Sequence, residues 1–224
     1  MRVVIAGAGS VGRSIARELL AHEHEVTLID RQPSAMRVSQ VAEADWILAD
    51  ACELPTLRDA ATDQADVVVA ATGDDKANLV VSLLAKTEFG VPRTVARVNN
   101  PKNEWMFDEA WGVDVAVSTP RIMTAMVEEA VTVGDLVRIF TFHQSRADIL
   151  EITLPDESPL VGLRVGQVEW PQDTVLACIV RDVRPIAPSP DDTLEGHDEL
   201  LFVTGRDAQL ADLENLLAHG PAAS

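Results

Sequence analysis

Three glycines near the start of the chain constrain its fold more than any other feature. The stretch VVIAGAGSVGRSIARELL (3–20) places an apolar run before Gly7, Gly9 and Gly12 and an amphipathic helical pattern after them. In a G-x-G-x-x-G turn, the first glycine permits the tight turn, the second lets a diphosphate approach the backbone, and the third lets the helix pack closely. Because a helix N-terminus also favours anions, the stretch predicts a phosphate-binding turn.

An acidic residue follows this turn at a meaningful distance. Asp30 lies 18 residues after Gly12, at the end of the predicted strand 25–29. A carboxylate there accepts hydrogen bonds from a ribose hydroxyl and repels the 2′-phosphate of NADP. We expect Asp30→Ala to weaken NAD(H) binding by about 1.5–3 kcal/mol and to leave folding intact at a solvent-facing strand end. The alternative is a tight strand–helix turn that holds no ligand.

Apolar runs alternate with helical patterns throughout the first half of the chain. Most of these runs are continuous, which is typical of parallel strands buried on both faces. The alternation indicates βαβ units, so 1–118 is predicted to be an α/β domain with a Rossmann-like, doubly wound, six-stranded parallel sheet. The predicted strands are 2–6, 25–29, 46–49, 66–71, 94–98 and 113–118, and the predicted helices are 10–21, 34–43, 53–61, 75–89 and 103–110.

The pattern changes after residue 118. A helix is predicted at 119–131, within a connecting segment 119–135, and its Met123 and Met126 are expected either at a dimer contact or in ordinary core. Shorter strands then predict a small α+β domain over 136–220. Its predicted strands are 138–143, 149–154, 174–182 and 198–205, and its closing helix is 206–219.

Residues that follow the other strands are expected at the same crevice, because the carboxyl ends of parallel strands meet at one edge. Arg97 ends the fifth strand, where it either binds a phosphate or pairs with a structural carboxylate. Asp74 and Asp75 either line the crevice or cap the next helix. Asp50 and Ala51 directly follow the third strand, where an adenine could lie. Thr72 and Gly73 directly follow the fourth strand.

The charge of the chain restricts its partners. With 36 acidic and 18 basic residues, the formal net charge is −18. Such a surface repels nucleic acids and anionic lipid head groups, so no nucleic-acid partner is expected. It suits either plain solubility or a basic partner, such as the Lys- and Arg-rich cytoplasmic loops of a membrane protein. Without a run of about 20 apolar residues or a signal peptide, the chain is expected to be cytoplasmic.

The residues needed for oxidoreductase chemistry are missing from the predicted crevice. None of the five histidines lies at a strand end that lines it, and the chain has no tyrosine. Cys52 and Cys178 lack metal-ligand spacing and are expected to be small buried hydrophobes. A binding module is therefore favoured over an enzyme. The alternatives are an NAD-dependent oxidoreductase and a nucleotide sensor of another channel or transporter.

Motifs along nearly the whole chain resemble one family. They are VVIAGAGSVGRSIARELL, VTLIDRQP, ILADACELPTLRDA, DVVVAATGDDKANLVVSLLAK and TVARVNNPKNEWMF, followed by PLVGLRVGQV and DTLEGHDELLFV. In this order they resemble the TrkA-type regulatory subunits of bacterial potassium uptake systems, which join a KTN/RCK amino-terminal domain to a TrkA-C domain. The resemblance implies a dimer or ring, possibly with a paralogous chain, that gates a membrane-embedded potassium translocation subunit from the inner face of the membrane.

The resemblance also implies a nucleotide site. Ser10 occupies the position at which relatives that respond to ATP can carry an arginine, so NAD(H) is expected in preference to ATP or ADP. The predicted cofactor-binding residues are Gly7, Gly9, Ser10, Val11, Gly12, Asp30, Arg31, Asp50, Ala51, Thr72, Gly73 and Arg97.

Overall fold

A six-stranded parallel sheet forms the first half of the chain in the computed structural model, which describes residues 1–131, 133–142, 145, 147–205 and 208–221. Its strand order, β3-β2-β1-β4-β5-β6, confirms the predicted doubly wound arrangement. The strands are β1 (Arg2–Ala6), β2 (Glu25–Asp30), β3 (Asp45–Leu48), β4 (Val67–Ala70), β5 (Arg93–Val98) and β6 (Val115–Ser118). The helices between them are α1 (Ser10–Ala21), α2 (Leu54–Asp59) and α3 (Asp75–Thr87).

The two central strands are buried on both faces of the sheet. Val4 of β1 belongs to the same core as Leu79 of α3, whereas the next residue, Ile5, belongs to a second core with Ala16 of α1. The side chains of Val4 and Ile5 are both fully buried. Alternate side chains of one strand therefore enter two different cores, which explains the continuous apolar run in the sequence.

The predicted helix at 34–43 is wrong. The chain instead forms two short 3-10 turns, Pro33–Ala35 and Val38–Gln40, between β2 and β3. Only Val41 and Ala44 of this stretch are buried apolar residues. An amphipathic helix would have had too narrow an apolar stripe to bury, so the connection follows the surface instead.

The predicted helix at 103–110 is also wrong. Two 3-10 turns, Pro101–Met106 and Glu109–Trp111, take its place. The carboxylate of Asp108 accepts hydrogen bonds from the amides of Ala110 and Trp111, and so caps the second turn. Aspartate favours this local bonding over a helix interior, which explains the interruption.

A five-stranded antiparallel sheet in the order β10-β9-β11-β8-β7 forms the second half. It confirms the predicted small α+β domain, except that β10 was not predicted because Pro185 lies within its three residues. The end of predicted strand 138–143 and the start of predicted helix 206–219 lie outside the described residues. The elements are α4 (Thr119–Val131), β7 (Val137–Phe142), β8 (Ala147–Thr153), β9 (Thr174–Arg181), β10 (Arg184–Ile186), β11 (Glu199–Thr204) and α5 (Leu210–His219).

The chain divides into two compact units, Met1–Pro120 and Arg121–Ser224. No helix within the described ranges is both long and apolar enough to cross a membrane.

On α4, which follows β6, Met123 is 64% exposed and Met126 is 42% exposed. Neither methionine is therefore ordinary core within the chain, and their role in a dimer contact stays a prediction.

One ion pair is central to the second unit. Arg181 donates from Nε and Nη2 to the two carboxylate oxygens of Asp198, at 2.7 Å each. Asp198 is fully buried and also accepts a hydrogen bond from the Glu195 amide. Arg181 in turn reaches the Glu195 carboxylate and the Thr193 carbonyl oxygen. The pair thus ties β9 to the loop before β11.

We expect Asp198→Asn to lower the free energy of unfolding of the second unit by about 2–3 kcal/mol, because an amide nitrogen would then face the Arg181 guanidinium. Urea unfolding followed by circular dichroism measures this change. Asp191→Asn is the matched control, since its side chain is 90% exposed and lies 3.7 Å from Arg164; its effect should stay within about 0.5 kcal/mol. Equal effects of the two substitutions would contradict this role of the buried pair.

Candidate functional site

The turn after β1 requires glycine at two positions. Gly7 has a φ of +105°, and a Cβ on it would lie 2.8 Å from the Thr72 amide nitrogen. A Cβ on Gly12 would overlap the carbonyl oxygen of Gly7. Because Gly7 and Gly12 have no Cβ, α1 can begin directly against the end of β1. Gly12 therefore serves packing and, unlike the other predicted site residues, does not line the crevice.

The N-terminus of α1 is open to a ligand. No side chain caps it at Gly9, and its first turn holds no acidic residue. In the described part of the chain, the amides of Ser10, Val11 and Gly12 have no hydrogen-bond partner. A Cβ on Gly9 would meet nothing within 4 Å. Unpaired amides beside open space form an anion-binding position.

Asp30 fastens the glycine turn to the end of β2. Its Oδ2 accepts a hydrogen bond from the Ala8 amide at 2.8 Å, and its Oδ1 accepts one from the Gln32 amide at 2.8 Å. Arg13 donates to the carbonyl oxygen of Ala8 from the other side. The remaining lone pairs of the carboxylate can still accept from a ribose. Asp30 thus also bonds the backbone of the glycine turn, so we expect its loss to cost stability as well as ligand binding.

The strand ends enclose a crevice of about 510 Å³. It brings together eleven of the twelve predicted residues, namely Gly7, Gly9, Ser10, Val11, Asp30, Arg31, Asp50, Ala51, Thr72, Gly73 and Arg97. Sequence reasoning did not assign the other lining residues to the site, apart from weighing Asp74. These are Ile29, Gln32, Ala35, Cys52, Ala71, Asp74, Ala77 and Val81. Most of them directly flank predicted positions, which was the available signal.

Arg97 supplies an unpaired positive charge. Its Nε is buried without a hydrogen-bond partner, and no carboxylate among the described residues lies within ion-pair distance of its guanidinium. This arrangement does not support pairing with a structural carboxylate. The other lining arginine, Arg31, instead lies 3.3 Å from Asp50. Of the two arginines that line the crevice, Arg97 is therefore the one without an ion pair among the described residues.

Asp50 contacts both Cys52 and Arg31. The Cys52 amide donates to Asp50 Oδ1 at 2.9 Å, and this hydrogen bond is the main cause that lowers the pKa of Asp50. Burial, followed by the charge of Asp50, raises the pKa of the Cys52 thiol to about 11. The thiol is therefore protonated at neutral pH and is a poor nucleophile. Cys52 and Cys178 are half-buried rather than buried as expected.

The paired acids after β4 have structural roles. Asp74 accepts from the Lys76 amide and caps α3. Asp75 is 8% exposed and accepts hydrogen bonds from Asn99, Asn100 and Asn103. Burial alone would raise the pKa of Asp75, but these hydrogen bonds lower it overall. Asp75 is therefore charged at neutral pH, and only Asp74 lines the crevice.

Asn78 is a site residue that sequence reasoning missed. Fully buried on α3, it contacts the backbones of both Thr72 and Arg97. An asparagine on the apolar face of a helix was the signal, because buried amides need partners. In the part of the chain that the structure describes, no group of three or more His, Cys, Asp or Glu side chains suits a metal ion.

Comparison with known proteins identifies the family. The TrkA-N domain model matches residues 3–119, and the TrkA-C domain model matches residues 149–218. The chain is 54% identical over 217 residues to the Trk system potassium uptake protein TrkA of Mycobacterium tuberculosis, covering 97% of this chain and 98% of that protein. The chain belongs to the TrkA family.

A more distant TrkA homolog and two solved structures are also similar to this chain. The TrkA homolog of Methanothermobacter thermautotrophicus is 32% identical over 209 residues, which cover 93% of this chain and 95% of that protein. The GsuK channel bound to NAD has the same fold, with a TM-score of 0.66 at 17% identity; the match covers all of this chain and 40% of the channel chain. GsuK bound to ADP aligns over 57% of this chain and 33% of that chain, at 28% identity and a TM-score of 0.51.

We expect Asp30→Ala to destabilise the first unit by about 1–3 kcal/mol without any ligand, because the Ala8 and Gln32 amides lose a charged acceptor. Chemical denaturation of the ligand-free chain measures this change. Asp45→Ala is the control, since Asp45 is an exposed residue at the start of the neighbouring strand β3. If both variants unfold like the wild type, Asp30 does not hold the turn.

Proposed function

We propose that this TrkA-family chain is the nucleotide-binding regulatory subunit of a Trk-type potassium uptake system and that it catalyses no reaction. The observation that carries the proposal is the crevice itself. It combines the uncapped N-terminus of α1, the carboxylate of Asp30 and the guanidinium of Arg97, whose buried Nε has no hydrogen-bond partner among the described residues. Donors for a diphosphate and an acceptor for a ribose thus meet in one site.

NAD(H) is the ligand that this crevice fits best. Its diphosphate would lie over the amides of Ser10 and Val11, and its ribose would reach the Asp30 carboxylate. Asp50 and Ala51 would border the adenine. GsuK has been solved with NAD and with ADP, which supports an adenine nucleotide on this fold. ATP and ADP are the second candidates, disfavoured by Ser10 where ATP-responsive relatives can carry arginine.

The lining of the crevice supports binding rather than turnover. The described lining contains no histidine or tyrosine, and the Cys52 thiol is protonated at neutral pH. A hydride-transfer enzyme needs a group that moves a proton beside the nicotinamide. The oxidoreductase alternative would have to use an aspartate of this lining, and Asp30, Asp50 and Asp74 each already accept a hydrogen bond from a backbone amide.

Regulation would act on a membrane-embedded potassium translocation subunit. A dimer or ring of these chains, possibly with a paralogous chain, would lie on the cytoplasmic face of the membrane. The net charge of −18 complements the Lys- and Arg-rich loops found on that face. The exposed Met123 and Met126 are the proposed dimer contact. A nucleotide that binds two ring states with different affinity would gate the pore.

Substitution of Arg97 tests the ligand site. We expect Arg97→Gln to weaken NADH binding by at least about tenfold, because a charge-assisted hydrogen bond to phosphate contributes roughly 1.5–3 kcal/mol. Calorimetric titration with NADH, NAD, ATP and ADP measures the change. Arg93→Gln is the matched control, since Arg93 is exposed at the opposite end of β5. Equal affinities of the two variants would exclude Arg97 from the site.

Potassium uptake tests the regulatory role. We expect deletion of the chain to reduce uptake at low external potassium, and Gly9→Asp to leave a folded protein without nucleotide control. Aspartate at this position caps α1 and occupies the phosphate position with its own carboxylate. Normal uptake in the deletion strain, with no second copy present, would contradict the proposal. Catalytic oxidation of NADH by the purified chain would favour the oxidoreductase alternative.

A further inference from the structure

Asn78 joins two strand ends beneath the crevice. Its Nδ2 donates to the carbonyl oxygens of Thr72 and Arg97, at 3.2 Å and 2.8 Å. Its Oδ1 accepts from the Thr72 amide at 2.9 Å and from the Thr72 hydroxyl at 2.6 Å. The side chain is fully buried, with both amide atoms engaged. Asn78 therefore links the residues just beyond the paired part of β4 and β5, which ends at Ala70 and Ala96.

Asp75 extends the connection away from the crevice. Asn99 Nδ2 donates both to the Thr72 carbonyl oxygen, at 3.0 Å, and to Asp75 Oδ1, at 2.9 Å. The Asn99 amide adds a bond of 2.7 Å to the same Oδ1. The other oxygen, Oδ2, accepts from the Asn100 amide at 3.1 Å and from Asn103 Nδ2 at 2.8 Å. We call Asp75, Asn78, Asn99 and Asn103 the Asp–Asn network.

The network ends in a surface segment, 101–111, whose Met106 and Phe107 pack in the core of the first unit. This segment consists of two 3-10 turns, which have poorer hydrogen-bond geometry than an α-helix. Phe107 anchors it in the core at 6% exposure, whereas Trp105 is 78% exposed. An exposed tryptophan is a side chain typical of binding hot spots. The segment therefore combines two 3-10 turns with an exposed side chain that is suited to a contact.

We propose that the Asp–Asn network transmits nucleotide occupancy of the crevice to the segment 101–111, so that the surface around Trp105 changes when a ligand binds. The proposal rests on the proposed function of the crevice. The network consists of positioning residues. Asn78 contacts the backbones of Thr72 and Arg97, Asn99 contacts that of Thr72, and Asp75 and Asn103 act through Asn99. An anion that binds the Arg97 guanidinium would displace Arg97, whose carbonyl oxygen accepts a hydrogen bond from Asn78.

A displacement of Arg97 would pass along the network because the hydrogen-bonding groups of Asn78 all have partners. Asn78 has two donor hydrogens and one acceptor oxygen, and all are used between Thr72 and Arg97. A shift of β5 relative to β4 must therefore break a buried hydrogen bond or move Asn99 through the shared Thr72 carbonyl oxygen. Breaking it costs more than moving a surface turn, because buried polar groups without partners are strongly disfavoured.

Hydrogen–deuterium exchange of the full chain tests the transmission. The amides of Asn99 and Asn100 donate directly to Asp75, so their exchange reports the network. With saturating NAD, we expect exchange in a peptide covering 99–111 to change at least about fivefold, the scale of a typical coupling between sites. A peptide covering the glycine turn, 7–13, reports occupancy of the crevice independently.

Asp75→Asn should abolish the response at 99–111 and preserve protection at 7–13. The substituted amide can still accept from Asn99 through one oxygen, but its NH₂ group would face the donors of Asn100 and Asn103. Asn103→Ala is the milder second variant and should reduce the response if Asp75→Asn does not fold. Asp66→Asn is the charge-matched control, because Asp66 instead accepts from the Arg2 amide at the amino-terminal ends of β1 and β4, opposite the crevice.

The outcomes separate the two proposals. Protection at 7–13 without any change at 99–111 in the wild type would overturn the network and leave the nucleotide site standing. A full response at 99–111 in folded Asp75→Asn or Asn103→Ala would also overturn it. If calorimetry shows no binding of NADH, NAD, ATP or ADP, the proposed function itself fails, and the network fails with it.

Discussion

The contact between the backbones of Gly7 and Gly12 determines where α1 begins, and the crevice depends on that position. Any side chain on Gly12 would overlap the Gly7 carbonyl oxygen, so the helix would have to move away from β1. Asp30 and Arg13 hold Ala8 between these glycines by its amide and its carbonyl oxygen. As a result, the first-turn amides of α1, which have no partner among the described residues, lie at the carboxyl ends of the strands, where the strand order reverses between β1 and β4.

The opposite wall of the crevice depends on buried polar groups rather than on glycine. Asn78 holds the ends of β4 and β5 together, and it thereby places Thr72 and Arg97 opposite the glycine turn. The first wall presents amide donors and the second presents a guanidinium, so both attract an anion. In the proposals made above, the glycine turn shapes the phosphate position, and the Asp–Asn network transmits nucleotide occupancy to the surface segment 101–111.

Much of this arrangement was predictable because local sequence determines it. The G-x-G-x-x-G spacing and Asp30 depend on steric and hydrogen-bonding requirements within one βαβ unit, and the buried strands appear as apolar runs. The role of Asn78 depends on β5, which lies 15 or more residues away in sequence, so no local pattern reveals it. The 3-10 turns at 33–40 and 101–111 were missed because the first segment has too few buried apolar residues for a helix and Asp108 caps a separate turn within the second. Strand β10 was missed because Pro185 is unfavourable in a strand and acceptable only at a sheet edge.

The central claim is that the glycine turn and Arg97 together bind the phosphates of an adenine nucleotide. A crystal structure of the chain with NAD bound tests this claim most directly. The account predicts diphosphate oxygens about 3 Å from the amides of Ser10 and Val11, with Arg97 in contact with the same phosphates. A nucleotide bound elsewhere on the chain, with the N-terminus of α1 and Arg97 free of phosphate, would contradict it.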